Sequence, residues 1–331
     1  MQKQNWIAKK EKDETNWKYG CLPHKRKIKD LLENGIVVVN KHNGPTSHDI
    51  VEMVKKILNL KKTGHSGTLD PIVCGVLPLT LNNATKMASL ISKQGKEYVC
   101  IMHLHKDMNE RDVKTALMNF VGTVRQMPPV KSAVKRQWRD RKVYNIKIIE
   151  IKGKNVLFKA SVEAGFYMRK LCSDAGEKLR CGANMAKLIR IRAGPFSLEE
   201  SFSVEEINKA YQEYIKTKDE IYLRKIIRPM EDGLKNTPKI IVGDKAIYSL
   251  CNGVPLYPPA IVKYTDDIRT GDYIAILSLK GEFVAIAEAE MSSDDIKKVK
   301  NKKVASIMRV LMDVDTYKGI SHKHQQNPTS V

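Results

Sequence analysis

The sequence has no C-x-x-C pair, no apolar run long enough to cross a membrane, and far fewer acidic than basic residues. Its six cysteines are scattered, which argues against a structural zinc site and a secreted disulfide framework and favours a reducing compartment. No apolar stretch approaches the roughly 18 residues of a membrane span, and lysine-rich residues 1–30 lack the apolar centre of a signal peptide. We therefore expect a protein that stays inside the cell and has no membrane partner.

Basic residues dominate the charge of the chain. Lys and Arg number 58 against 37 Asp and Glu, and the formal net charge is +21. A field of that sign favours a polyanionic partner, most commonly RNA or DNA, although a basic surface can also serve solubility alone. The length of 331 residues exceeds one typical domain, so we expect two.

Helical and strand patterns alternate irregularly over the first two thirds of the chain. This mixture favours an α+β fold over a doubly wound parallel sheet. The patterns predict strands at 36–39, 76–81, 97–104, 143–151 and 155–162, and helices from 47, at 84–91, 111–120, 166–180, 184–190 and 203–225.

The two ends of the chain have a different texture. Residues 228–238, rich in Pro, Gly and polar side chains, are typical of a linker. Beyond them, short strands at 239–242, 260–264, 272–279 and 282–290 indicate a small β-barrel or sandwich. At the other end, residues 1–30 predict either an arm that docks through its aromatic rings or a disordered tail.

The octapeptide GHSGTLDP at residues 64–71 places a carboxylate directly before a proline. It lacks the lysine of a phosphate-binding loop, and it fails the G-x-S-x-G pattern of a serine hydrolase by one residue. Pro71 restricts the backbone of Asp70, and the glycines let the turn approach a ligand closely. Asp70 is therefore a candidate reacting group; the alternative is an Asp-Pro turn whose side chain caps local N–H groups.

A second candidate site is the basic segment, residues 131–147. It carries seven Lys or Arg against one acidic residue, interleaved with Trp138 and Tyr144. Basic side chains suit phosphates and aromatic rings stack on bases, so the segment predicts RNA binding, with a solvated charged face as the alternative. Residues 187–192, in which basic residues are spaced by apolar ones, give weaker support, with an amphipathic edge as the alternative. The RNA-binding candidates are Lys131, Lys135, Arg136, Arg139, Arg141 and Lys142.

Five motifs occur in a fixed order along the chain: GHSGTLDP, GKEYV at 95–99, MPPVKSAVK at 127–135, RKVY at 141–144 and EAGFYMRKL at 163–171. In this order they resemble the TruB and dyskerin family of RNA pseudouridine synthases. The tail resembles a PUA RNA-binding domain of the dyskerin type, so the chain is most similar to the archaeal catalytic subunits of box H/ACA ribonucleoproteins. The resemblance implies an N-terminal arm at 1–30 docking on the PUA domain, a mixed-sheet catalytic domain at 31–235, a β-barrel PUA domain at 236–312 and a tail at 313–331.

The resemblance also assigns roles to individual residues. It makes Asp70 the catalytic aspartate, either attacking the sugar covalently or removing a ribose proton to give a glycal. Arg169 is then its ion-pair partner, and Tyr98 stacks on the target uracil. The resemblance assigns His65 to holding the flipped-out nucleotide, Leu188 to lining the pocket, and Lys41 to the family's Lys-Pro motif, although His42 replaces the proline here. It implies no cofactor and no metal.

The family's partners are implied in the same way. They are a box H/ACA guide RNA, substrate rRNA, a small zinc-ribbon protein, a β-barrel protein and a kink-turn-binding ribosomal-type protein. Guide-free action on the TΨC-loop uridine of tRNA lies within the family's reach, and a non-catalytic RNA-binding scaffold is the alternative from another class. The implied location is cytoplasmic for an archaeal protein and nucleolar for a eukaryotic one.

Overall fold

The computed structural model describes residues 4–10, 13–128 and 135–324, and these form two compact units. Unit 1 comprises the described residues of Met1–Ile36, Thr80–Leu90 and Ile227–Val331, and unit 2 those of Val37–Leu79 and Ile91–Ile226. Each unit therefore draws on more than one stretch of the chain. Among helices in the described residues, none has the length and apolarity that crossing a membrane requires.

The strands and α-helices are numbered in chain order. The strands are β1 Trp6–Ala8, β2 Gly35–Lys41, β3 Thr63–His65, β4 Cys74–Leu81, β5 Lys96–Leu104, β6 Gly122–Gln126, β7 Arg139–Lys152, β8 Asn155–Val162, β9 Ala183–Ala193, β10 Phe196–Ser197, β11 Ile227–Pro229, β12 Lys239–Val242, β13 Ile261–Thr265, β14 Tyr273–Leu277, β15 Phe283–Ala289 and β16 Ala305–Val310. The helices are α1 Ile28–Asn34, α2 Ser47–Ile57, α3 Ala88–Ser92, α4 Glu110–Met118, α5 Met168–Lys178, α6 Val204–Thr217, α7 Ile221–Ile226, α8 Asp244–Cys251 and α9 Ser293–Lys298.

Unit 2 is built on a mixed sheet with the strand order β2-β4-β9-β5-β8-β7-β6. The pair β4–β9 is parallel, whereas β9–β5, β5–β8, β8–β7 and β7–β6 are antiparallel. Apolar side chains from the strands and from α2 and α5 form the core. Helix α2 begins with a capping box: the Thr46 side chain accepts from the Asp49 N–H, and the Asp49 side chain accepts from the Thr46 N–H. These two bonds stabilise the first turn of the helix, which contains Ser47.

Unit 1 holds a six-stranded sheet with the order β1-β13-β12-β14-β15-β16. The N-terminal strand β1 pairs antiparallel with β13, and β12 pairs parallel with β14. One buried cluster fills this unit and includes Tyr264 and Tyr317, with Tyr19 packed against it. The N-terminal segment therefore supplies both an edge strand and an aromatic ring to the unit that contains the C-terminal strands.

The α+β class with a mixed sheet is confirmed, but three local predictions are wrong. Residues 184–190 belong to strand β9 rather than to a helix: they pair antiparallel with β5, and burial alternates from Lys187 to Arg190. Residues 228–238 are not an open linker: they form β11 and a 3-10 helix, Met230–Leu234, whose two apolar ends are buried. The predicted helix 203–225 is two helices, since Lys218 at φ 62° ends α6.

Candidate active site

Asp70 lies in a turn between β3 and β4. The N–H of Val73 donates to the carbonyl oxygen of Asp70 at 3.0 Å, and Pro71 occupies the second position of that turn. The side chain of Asp70 is 54% exposed. The backbone is therefore constrained while the carboxylate faces outward, where a ligand can reach it.

The guanidinium of Arg169 contacts this carboxylate. Its Nη2 donates to Asp70 Oδ2 at 2.7 Å, and both side chains are about half exposed. A pair this exposed adds only about 0–1 kcal/mol to stability, so its main effect is to orient the carboxylate. Arg169 stands in the first turn of α5, and the buried Gln126 side chain bonds both the N–H and the C=O of Tyr167 just before that helix.

Two buried side chains hold the same turn from the side of β2 and α2. The Nζ of Lys41 donates to the carbonyls of His42, Pro71 and Val73 at 2.9–3.0 Å. The hydroxyl of Ser47 donates to the Leu69 carbonyl at 2.9 Å and accepts from the Leu69 N–H at 2.8 Å. Main-chain groups on both sides of Asp70 are thus fixed by side chains that are themselves buried.

Arg190 of β9 reaches the loop from the opposite direction. It is 1% exposed, and it donates to the carbonyls of Val76 at 2.7 Å, Gly67 at 3.0 Å and Thr68 at 3.5 Å. Gly75 lets β4 approach this strand, because a Cβ there would lie 2.2 Å from the Arg190 carbonyl oxygen. The guanidinium therefore ties the site loop to the central strand of the sheet.

Tyr98 and Leu188 lie on the two strands that meet at Arg190. In the β5–β9 ladder Tyr98 is opposite Arg190, and Cys100 is opposite Leu188. Tyr98 is partly buried, and Leu188 is buried two residues before Arg190, so those two β9 side chains share one face. Burial lowers the pKa of Arg190, and its interaction with the Tyr98 phenol offsets part of that effect.

His65 and Lys96 are two more titratable groups beside this guanidinium. Burial and the charge of Arg190 lower the pKa of His65, so the imidazole is neutral at pH 7, and among the described residues its Nδ1 has no hydrogen-bond partner. Burial and Arg190 also lower the pKa of Lys96 to about 7. The Nζ of Lys96 donates to the carbonyls of Ser92 and Gln94.

The described part of the basic segment begins at residue 135, so Lys131 lies outside the described residues. Lys135, Arg136 and Lys142 are exposed, whereas Arg139 and Arg141 are half-buried on β7. Arg141 Nη1 is 3.9 Å from Glu163, and Arg125 stacks on the exposed Trp138 ring at 5.6 Å. The structure thus brings Asp70, Arg169, Lys41, Tyr98, Leu188 and His65 onto neighbouring elements, and places the basic side chains on the β6–β7 hairpin.

The sequence does not assign Ser47, Lys96 or Arg190 to the site. It places Ser47 at the start of a helix and Lys96 in the GKEYV motif, with no role for either side chain. In a strand Arg190 lies on the same face as Leu188, two residues earlier, which the family resemblance assigns to the pocket. That spacing is the signal that could have identified it.

Four family models together match nearly the whole chain. Residues 55–168 match the N-terminal domain of TruB family pseudouridylate synthase, and residues 169–235 match the C-terminal domain of tRNA pseudouridylate synthase B. Residues 238–311 match the PUA domain, and residues 1–51 match the DKCLD domain.

Similar proteins and structures agree with these matches. Proteins called probable tRNA pseudouridine synthase B are 43% identical in Methanocaldococcus jannaschii and 44% identical in Methanosarcina acetivorans, over 93% and 94% of this chain and 92% of each relative. A chain in a crystal structure of a Cbf5-Nop10-Gar1 complex has a TM-score of 0.92 at 40% identity, over 95% of this chain and 96% of that one. A chain in an H/ACA RNP bound to a substrate RNA containing 2'-deoxyuridine has a TM-score of 0.90 at 38% identity, over 96% and 98%.

The family matches, on a mixed-sheet α+β unit followed by a PUA domain, identify the class of protein as an isomerase that acts on RNA. The chain belongs to the TruB family of RNA pseudouridine synthases. The resemblance inferred from the five motifs is confirmed, and so is the assignment as an enzyme rather than a non-catalytic scaffold.

Proposed function

We propose that this pseudouridine synthase is the catalytic subunit of a box H/ACA ribonucleoprotein and isomerises rRNA uridines selected by a guide RNA. The observation that carries the proposal is the likeness, over 95% of the chain, to a chain crystallised with Nop10 and Gar1. That likeness includes the PUA domain and the N-terminal segment as well as the catalytic unit. The second structure, an H/ACA RNP with substrate RNA, supports the same assignment.

In this proposal Asp70 is the reacting carboxylate. The C1'–N1 bond of uridine breaks, the released uracil turns, and C5 joins C1' while the proton from C5 moves to a nitrogen of the base. Asp70 either bonds to C1' or removes a ribose proton to give a glycal, and it is regenerated when C5 adds. Hydrolysis of a glycosidic bond needs a second group to activate water, but this reaction returns the base to the sugar and needs water excluded.

The surrounding residues have matching roles. Arg169 orients Asp70 through its 2.7 Å contact. Tyr98 stacks on the uracil, Leu188 lines the pocket, and neutral His65 holds the flipped-out nucleotide, whose extrusion costs a few kcal/mol. Lys41 fixes the backbone on the C-terminal side of Asp70.

The partners follow from the same proposal. The basic segment and the PUA domain bind RNA phosphates, and the net charge of +21 favours that binding. A small zinc-ribbon protein, a β-barrel protein and a kink-turn-binding ribosomal-type protein complete the complex in this proposal. Nop10 and Gar1 in one similar structure, and Nop10 in another, support two protein partners. The relatives are archaeal, which supports a cytoplasmic location; a eukaryotic source would make it nucleolar.

A second candidate function is guide-free modification of the TΨC-loop uridine of tRNA. The names of the curated relatives favour it. The deciding experiment incubates purified protein with an rRNA fragment or a tRNA transcript, each with and without guide RNA and the zinc-ribbon protein, and measures pseudouridine. The proposal expects rRNA product only with guide RNA; equal rRNA product without it, or product on tRNA alone, would refute it.

A further inference from the structure

Arg190 is a buried charge that donates to three main-chain carbonyls. Its Nε and Nη2 donate to Val76 and Gly67 at 2.7 and 3.0 Å, and its Nη1 reaches Thr68 at 3.5 Å. Taking a guanidinium out of water costs several kcal/mol, and carbonyl dipoles offset that cost only where the geometry is good. An apolar residue of similar size would be cheaper for the fold, so stability alone does not explain this side chain.

The bonded carbonyls bracket the proposed reacting group. Gly67 and Thr68 come directly before Leu69 and Asp70, and Val76 stands in β4, which follows the turn. Lys41 and Ser47 hold Leu69, Pro71 and Val73 from the other side. Arg190 is therefore one of two cations between which the Asp70 loop is fixed.

The same residue connects the loop to Tyr98. Arg190 lies opposite Tyr98 in the β5–β9 ladder, and the phenol interacts with the guanidinium. A carboxylate and a base-stacking ring act on one nucleotide only when their separation is held, and a displacement of about 1 Å costs about 100-fold in rate. The planar fork of arginine can bond divergent carbonyls at once, which the point charge of lysine cannot do as well.

We propose that Arg190 is a positioning residue for pseudouridine formation, setting the distance between the Asp70 loop and the strand that carries Tyr98. It touches neither the base nor the ribose, and acts through the main chain of Gly67, Thr68 and Val76. The inference rests on the proposed role of Asp70 as the reacting carboxylate.

The test uses Arg190→Gln and Arg190→Lys in the full chain, assembled with guide RNA and the protein partners. Single-turnover rate and RNA Kd are measured separately, because a positioning defect lowers the rate without weakening binding. We expect Arg190→Gln to lower the rate by about 100-fold and Arg190→Lys by a smaller factor, with Kd within about threefold of the wild type.

Arg26→Gln is the matched control. Arg26 is a nearly buried arginine of unit 1 that forms two bonds of 2.7 and 2.8 Å with Glu231. Its replacement removes a comparable buried charge, so a single-turnover rate that falls equally in Arg26→Gln and the Arg190 variants would overturn the inference. An unchanged rate in Arg190→Gln, or equal losses in rate and affinity, would also overturn it; if Arg190→Gln does not fold, Arg190→Lys decides on the same criteria. An inactive wild-type complex would instead count against the proposed function.

Discussion

At the residue scale, the site is a loop whose main chain is fixed and whose single carboxylate, bonded to Arg169, is half exposed to a ligand. Sequence alone could single out Asp70, because Pro71 restricts it, and the family resemblance named Arg169, Tyr98, His65, Leu188 and Lys41. It could not show that Ser47 and Arg190 bond the loop's carbonyls, because a side-chain contact with a main-chain oxygen many positions away leaves no local pattern. Lys96 was missed for another reason: its carbonyl partners, Ser92 and Gln94, are close in the chain, but nothing in the GKEYV motif indicates that its side chain is buried.

The charge of Asp70 is the first target for a test. Asp70→Asn keeps the size of the side chain and removes the charge, so we expect pseudouridine formation to fall by about 10³-fold or more, with RNA affinity nearly unchanged. Product measured at single turnover, beside an RNA-binding assay, checks this. Asp107→Asn, at an exposed aspartate, is the control; substantial product from Asp70→Asn would exclude Asp70 as the reacting group.

Lys96 predicts a dependence of stability on pH. Its folded pKa, lowered to about 7 by burial, lies below that of the unfolded chain, so between pH 7 and about 10 the unfolded state binds the extra proton. Lys96 therefore makes the free energy of unfolding rise with pH in this range, by at most about 1.4 kcal/mol per pH unit. Below pH 7 both states are protonated and the slope from this group disappears.

Denaturant unfolding of the wild type and Lys96→Met across pH 6–10 tests this prediction. We expect the variant to show a smaller rise in unfolding free energy between pH 7 and 10. Lys239, with a pKa lowered to about 8, contributes a slope of the same sign in both proteins, so only the difference between the two curves is informative. Parallel curves would mean that burial does not lower the pKa of Lys96 in the folded protein.

At the scale of elements, three predicted strands were found, whereas the helix predicted at 184–190 was not. The β5, β7 and β8 patterns are long and rich in β-forming residues, and strands were found there. In β9 burial alternates from Lys187 to Arg190 with the period of a strand, but residue type does not, because each face carries one basic and one apolar residue. The sequence therefore does not show a strand here. Arg190 can be buried because it bonds carbonyls of the site loop, which lie far away in the chain.

The β6–β7 hairpin supplies the exposed charge that we propose for RNA. Replacing Lys135, Arg136 and Lys142 together by Gln should weaken RNA binding and reduce the slope of log K against log salt by about 2, since each phosphate contact on a single strand contributes about 0.7. Titrations at several salt concentrations measure that slope. The matched control replaces three exposed lysines of α6 and α7, Lys209, Lys216 and Lys225; an equal change there would show only an effect of net charge.

At the scale of the whole molecule, segments distant in sequence build each unit. The first strand pairs with β13, and the N-terminal segment also packs on a buried polar group: Glu282 accepts from Tyr317 Oη at 2.5 Å, from Ser278 Oγ at 2.8 Å and from the Cys21 N–H at 2.8 Å. From composition, residues 1–30 could be either a docked arm or a disordered tail. The sequence could not decide, because their partners, β13 and Glu282, lie more than 200 positions along the chain. A truncation after residue 235 would consequently leave β1 without β13.

Gly20 tests the contribution of this packing. It has φ +64°, and a Cβ there would lie 2.5 Å from both Glu282 Oε1 and Tyr317 Oη, so Gly20→Ala combines backbone strain with a clash against buried groups. We expect a loss of about 3 kcal/mol in unfolding free energy. Gly253→Ala is the control, because Gly253 has φ +83° with nothing within 4 Å of its Cβ; it should lose about 1–2 kcal/mol.

Thermal and denaturant unfolding measure the difference in unfolding free energy between the two variants. Guide-RNA binding shows whether the loss of stability also affects RNA affinity. If the PUA domain binds the guide as proposed, Gly20→Ala weakens guide binding near its unfolding temperature more than Gly253→Ala does. Equal losses of stability in both variants would mean that the Glu282 and Tyr317 groups move aside without cost.

The pairing of β1 with β13 also sets an order of events during synthesis. Gln4 and Asp267, which are hydrogen-bonded at 2.8 Å, are 263 positions apart in the chain. At about 5–20 residues per second, the N-terminal strand waits roughly 13–50 seconds for its partner to be made. During that interval the segment has been made without the strand that pairs with it, so its edge is open to chaperones.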